Sequence, residues 1–180
     1  SVVNNNDIAI RDYNRKLATP FSMGAGHIQP NKAADPGLVY DLTNDDYLTF
    51  LCANGLNNTD MTKSYNVTYT CPNEHFNMLN FNYPAITIPQ ILSSPLTVRR
   101  RVKNVGTPGT YTVKVDEPRG VAVTVSPTQL VFSKVGEEKS FELIFKAESI
   151  RGQNASYVFG KLEWSDGVHS VTSPISVNLA

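Results

Sequence analysis

After Pro84 the apolar residues fall into period two and keep it through short runs to the end of the chain. Leu96, Val98, Arg100 and Val102 alternate with Thr97, Arg99, Arg101 and Lys103, and Tyr111, Val113 and Val115 alternate with Thr112, Lys114 and Asp116. Val121, Val123 and Val125 repeat the rule, as do Phe141, Leu143 and Phe145, then Val158, Gly160, Leu162 and Trp164, then Val171 through Ile175 to Val177. Side chains on a pleated strand alternate between faces, so this period marks strands with one buried face. Gly106-Thr107-Pro108-Gly109, Glu117-Pro118-Arg119-Gly120, Lys134-Val135-Gly136-Glu137 and Ser165-Asp166-Gly167 are turn signals between the runs. The spacing predicts a mainly β chain, with a β-sandwich of about seven strands over residues 80–180.

Both cysteines, Cys52 and Cys71, precede that region. The intersheet disulfide of antibody domains is therefore excluded, and the sandwich is expected to be fibronectin type III-like. Residues 1–79 are different in kind. Residues 1–18 are polar and lack apolar periodicity, which predicts an exposed loop. Thr43 with Asp46 has capping-box spacing, and Asp45 and Asp46 suit the positive end of a helix dipole. Tyr47, Leu48, Leu51 and Cys52 form a helical stripe that Asn54-Gly55 ends, so a helix is predicted over 42–54, with a shorter one near 59–64. Gly24, Gly26, Pro30 and the Pro36-Gly37 turn describe a rigid looped backbone around them. Such a segment is too short and loop-rich to bury Phe21, Met23, Ile28, Leu38, Val39 and Tyr40 by itself. The sandwich is expected to cover some of these groups and a body outside the chain the rest.

Lys and Arg number 16 and Asp and Glu 16, so net charge gives no reason to expect nucleic acid or an acidic membrane as partner. No run approaches the roughly 18 apolar residues of a membrane span, and no leader pattern opens the chain. Ser1 is not an initiator Met, which suggests a proteolytic product or a fragment. Cys52 and Cys71 are either two free buried thiols or a bridge closing a loop of about 19 residues, for which chain entropy suggests roughly 3 kcal/mol. With His27, His75 and His169 scattered, they do not make a metal site. Asn57, Asn66 and Asn154 begin Asn-X-Ser/Thr glycosylation motifs, all in loop-like sequence. Chance supplies as many in a chain with 17 Asn, 14 Ser and 15 Thr, so the number alone decides nothing.

A catalytic triad needs nucleophile, base and orienting carboxylate within hydrogen-bond reach, plus donors for an oxyanion. His27 with Ser22 and Asp35 or Asp41 has the residue types, but a structural histidine in a glycine-flanked strand is the simpler reading. Asp166-Gly167 before His169 reads as a hairpin turn. On a strand, Arg100 points away from Arg99 and Arg101, so the triple reads as cross-strand pairing or an interface, not a basic patch. Trp164 reads as a core or interface aromatic.

Six separated blocks carry a resemblance that covers nearly the whole chain. They are Thr19 to Pro30 (TPFSMGAGHIQP), Ala34 to Asp41 (ADPGLVYD), Asp46 to Cys52 (DYLTFLC), Leu79 to Pro84 (LNFNYP), Arg101 to Gly106 (RVKNVG) and Trp164 to His169 (WSDGVH). In this order they resemble the C-terminal part of a plant subtilisin-like serine protease of the cucumisin-like subtilases, peptidase family S8. The resemblance implies that 1–79 completes an α/β subtilisin-type catalytic domain and that 80–180 is the sandwich domain. It implies a disulfide between Cys52 and Cys71, no catalytic residue and no metal site in this chain, and no cofactor. It implies the remainder of the protease as partner, peptide substrates reached through that remainder, and secretion to the plant extracellular space or vacuole, and it leaves a homodimer open. The family's catalytic serine lies in a Gly-Thr-Ser-Met block that is missing here, and Ser22-Met23 does not match it. This chain alone is therefore expected to be non-catalytic, stabilising the catalytic domain and shaping substrate access. The alternative is a free-standing fibronectin-like binding or inhibitory module, which requires 1–79 to fold without a partner.

Overall fold

A computed structural model describes residues 2–4, 6–66, 68–72, 76–91, 94–148 and 157–179. Along the chain run α1 (Pro20–Met23), α2 (Pro30–Ala34), β1 (Leu38–Val39), α3 (Asn44–Ala53), α4 (Asn58–Tyr65), a 3-10 turn (Met78–Asn80) and β2 (Ile86–Ile88). The sandwich follows with β3 (Leu96–Asn104), β4 (Gly109–Asp116), β5 (Val121–Ser126), β6 (Gln129–Phe132), β7 (Glu138–Ala147), β8 (Tyr157–Ser165) and β9 (Ser170–Asn178). One sheet has the order β1-β3-β7-β5 and the other β2-β9-β8-β4-β6. Among these pairs only β2 with β9 is parallel.

The alternation sets the layers. Val98 and Val102 of β3, Phe141, Leu143 and Phe145 of β7, and Val121, Val123 and Val125 of β5 point inward from one sheet. Tyr111, Leu162, Trp164, Ile175 and Val177 meet them from the other. Trp164 is fully buried with its ring edge-on to Phe141, centroids 5.2 Å apart. The mainly β, two-sheet expectation is met, with β3 to β9 supplying the seven strands. Two elements lie outside the predicted runs. Ile86 and Ile88 form β2 on the edge of the second sheet, and Leu130 and Phe132 anchor β6.

The N-terminal segment follows its caps. Thr43 accepts from Asp46 N while Asp46 Oδ2 accepts from Thr43 N, the reciprocal box expected at the start of α3. Asn57 and Asp60 repeat the device at α4. The described residues among 2–18 are mostly irregular, with single bridges from Val3 to Ala9 and from Arg11 to Leu17. Pro20 and Pro30 each start a short helix, where a missing N–H and a fixed φ cost nothing. His27 therefore lies in an exposed bend between α1 and α2, not in the strand expected for it, because the two prolines turn the glycine-rich run into helix starts.

Candidate functional site

Of the candidate triad residues, Ser22, Asp35 and Asp41 each have a partner outside the set. Ser22 Oγ donates to Asp12, Asp35 lies against His169, and Asp41 pairs with Lys103. His27 lies in its exposed bend. Among the described residues no group of three or more His, Cys, Asp or Glu side chains could hold a metal ion.

The N-terminal segment and the sandwich do meet in a continuous seam. Leu38 and Val39 add β1 to the sheet edge opposite Asn104 and Lys103, and Leu38 enters the core. Tyr40 reaches the other sheet, with 2.7 Å between its Oη and Ser173 Oγ. Burial raises the Tyr40 phenol above its ordinary pKa more than the Ser173 bond and the Arg100 charge lower it. Next along the seam, Lys103 Nζ lies 2.8 Å from Asp41 and Arg101 Nη2 lies 2.6 Å from Asp46. Burial works to raise the Asp46 carboxyl, but bonds from Arg101 and Thr43 outweigh it and hold the group below its ordinary value. Asn82 is buried and two-handed: its Nδ2 donates to Asp41 O and its Oδ1 accepts from Arg101 N.

The arginine triple splits by strand alternation, as its position on β3 requires. Arg99 pairs across the sheet with Glu142 at 2.7 Å, and Arg101 joins Asp46 at the seam. Arg100 turns inward and is 5% exposed. It donates to the carbonyls of Tyr83, Leu79 and Arg99, which fixes the connection entering the sandwich. Burial lowers its guanidinium to about 10, so it remains charged at neutral pH.

The loop end of the sandwich closes the seam. Gly37 O accepts from Val105 N and Gly106 N. Gly37 has φ +73, and a Cβ there would press on Tyr111 Oη and the His169 ring. Gly37→Ala is therefore expected to destabilise the seam by about 1–3 kcal/mol through strain and overpacking. Thermal melting checks this, and an unchanged midpoint would show that the turn does not seat against the sandwich. His169 stands at the centre of this contact, on the hairpin predicted from Asp166-Gly167. Asp166 Oδ1 accepts from the Val168 and His169 amides, and Gly167 takes φ +91.

Beyond the seam, the expected split of apolar groups is visible. Leu38 is buried, and Met23, Val39 and Tyr40 are half-buried. Phe21 is 59% exposed and Ile28 71%, although the Phe21 ring meets Tyr157 and Phe159 edge-on. Val2, Ile8 and Leu17 are also exposed. Two open grooves flank α1. One includes Leu17, Met23 and Phe159; the other includes Phe21, Tyr83 and Pro84.

Cys52 and Cys71 form a disulfide with Cα atoms 5.7 Å apart, tying the end of α3 to the segment after α4. Asn57 caps α4 through its Oδ1, and Asn66 ends the same helix in the left-handed region at φ 52. Both asparagines are exposed. Asn154 and His75 lie outside the described residues. The Asp35–His169 and Asp46–Arg101 contacts were not predicted. Their residues lie far apart in sequence, and only the charges at strand-face positions of β3 hinted that partners must exist.

The fibronectin type-III domain family matches residues 80–177. Over 94% of its length the chain is 51% identical to subtilisin-like protease SBT5.3 of Arabidopsis thaliana, of which it covers 22%. Over 98% it is 49% identical to SBT5.4 of the same plant, again covering 22% of that protein. A subtilisin-like protease of Glycine max, Glyma18g48580, is 42% identical over 98% of the chain, which covers 22% of it. The chain thus spans about a fifth of the length of these relatives, and the expected resemblance to plant subtilisin-like proteases holds across nearly all of its residues. Among solved structures, the FixG-related protein from Vibrio parahaemolyticus matches 48% of the chain and 79% of itself, at 12% identity and a TM-score of 0.39.

Proposed function

Because the chain belongs to the fibronectin type-III domain family, and is similar end to end to plant subtilisin-like proteases, we propose that it is the non-catalytic C-terminal region of a secreted subtilisin-like serine endopeptidase. In this reading residues 1–79 complete the α/β catalytic body and residues 80–180 form the sandwich domain. The rest of the protease is the partner, and peptide substrates are cleaved there by acyl transfer through a serine. The seam would hold the catalytic body's last segment in place and shape access to the cleft. The observation that carries the reading is the row of uncovered apolar groups on the N-terminal segment, led by Phe21 and Ile28. Segments that cannot cover their own apolar groups are built to be covered by something else. Secretion to the plant extracellular space or vacuole is supported by the disulfide, which persists in oxidising compartments. In such a compartment Asn57, Asn66 and Asn154 are the candidate glycan acceptors, and the Asn57 cap uses Oδ1, leaving Nδ2 for the sugar.

Two measurements test this. The isolated chain is expected to leave casein uncut while the full-length protein degrades it; cleavage by the isolated chain would refute the non-catalytic assignment. In the full-length protein, Phe21→Ser with Ile28→Ser is expected to lower thermal stability, since burying each such side chain contributes about 1.5–3 kcal/mol. Unchanged melting of the double variant would mean that this face stays in water.

A further inference from the structure

His169 is wedged between two carboxylates from different parts of the chain. Its Nδ1 lies 2.8 Å from Asp166 Oδ2 on its own hairpin. Its Nε2 is buried and lies 3.2 Å from Asp35 Oδ2, on the N-terminal segment, without hydrogen-bond alignment. Tyr111 of β4 also faces the ring, with Oη 3.5 Å from Nδ1.

A neutral imidazole carries one N–H and one lone pair. With Nδ1–H given to Asp166, neutral His169 turns a lone pair towards the Asp35 carboxylate, which repels it. Only the imidazolium, protonated on both nitrogens and positively charged, attracts both acids. Asp35 is the releasable partner, since its side chain is 73% exposed while that of Asp166 is 17% exposed. Asp35 also directly precedes the Pro36-Gly37 turn, whose carbonyl accepts from Val105 N and Gly106 N. The Asp35 contact and these two amide bonds therefore fasten the same stretch of chain to the same end of the sandwich.

We propose that His169 is a proton-operated latch: as imidazolium it bridges Asp166 and Asp35 and clamps the 35–37 turn onto the sandwich, and on losing its proton it lets that turn lift. The electrostatics agree in sign. The bond to Asp166, then the contact with Asp35, raises the His169 pKa above its ordinary 6.5. A group with a raised folded pKa contributes fully below its unfolded value and loses that contribution as pH rises through the folded one. Burial works to raise the Asp166 carboxyl, but bonds from the His169 side chain and from the His169 and Val168 amides prevail and hold it well below the ordinary range. Tyr111 is pushed up to about 12, so it stays a neutral phenol and takes no part in the switch.

The test is hydrogen exchange by mass spectrometry on the full-length protein, following peptides over 36–41 and 103–108, corrected for intrinsic rates. Between about pH 5.5 and 8.5, which brackets histidine titration, protection of Val105 and Gly106 is expected to fall severalfold. Asp35→Asn and His169→Gln are each expected to give low protection that no longer changes with pH. Protection that is flat with pH in the unaltered protein, or an Asp35→Asn variant keeping the original slope, would overturn the latch. If His169→Gln fails to fold, Asp35→Asn decides alone, because Asp35 is exposed and contributes nothing to the sandwich core.

Discussion

Trp164→Ala is expected to cost about 3–5 kcal/mol, because it empties the largest fully buried side chain from the centre of the sandwich. The indole lies edge-on to Phe141, and strand pairing holds Trp164 opposite Val113 on one side and Val171 on the other. Close-packed neighbours relax only partly into such a void, so the lost transfer energy and the cavity add. Trp164→Phe separates the causes. The indole Nε1 is buried with no hydrogen-bond partner among the described residues, so replacing the ring removes an unsatisfied donor as well as volume. The Phe variant is therefore expected to lose markedly less stability than the Ala variant. Urea denaturation checks both, and equal losses would mean that ring volume is not what Trp164 contributes.

Arg100→Ala is the second large effect, expected at about 2–4 kcal/mol. The guanidinium replaces water for the carbonyls of Leu79 in the 3-10 turn and Tyr83 after it, in a connection where no strand partner serves them. Removing it orphans both at about 1–3 kcal/mol each, offset in part by relief of a buried charge. Arg100→Met keeps the bulk and loses the donors, so it should recover little. Arg100→Lys keeps the charge with a single nitrogen, and should fall between the native protein and the Ala variant. The same denaturation series reads all three, with one further marker. If Arg100 holds the connection, hydrogen exchange over 79–84 rises in the Ala and Met variants, whereas a purely volumetric role would leave it unchanged in Met.

The strands were legible where alternation was strong. Val121-Val123-Val125 and Phe141-Leu143-Phe145 read as inward faces and are inward faces. Strand β6 was missed because Leu130 and Phe132 give only two apolar positions in a four-residue run, and β2 because Ile86 and Ile88 stand among prolines. The capping box of α3 was visible, since Thr43 and Asp46 are three residues apart and the bonds they make are local. The short helices at Pro20 and Pro30 were masked by glycines that suggested loop throughout, although proline at the first helical position was a usable signal. The histidine at 169 was recognised as part of a hairpin, but its contact with Asp35, 134 positions earlier, had no trace in local pattern.

Near-neighbour chemistry alone accounts for the strongly alternating strands and their buried faces, the capping box of α3, the turn at Asp166-Gly167 and the opposite aim of Arg100 between Arg99 and Arg101. Tertiary structure alone decided which distant groups meet: Leu38 in the sandwich core, Arg100 under the 79–84 connection, Asp46 on Arg101 and Asp35 on His169. The physical reason is range. Backbone periodicity and capping act over three or four residues, whereas charge pairing and burial depend only on distance in space, which the chain reaches after the two sheets have closed on each other.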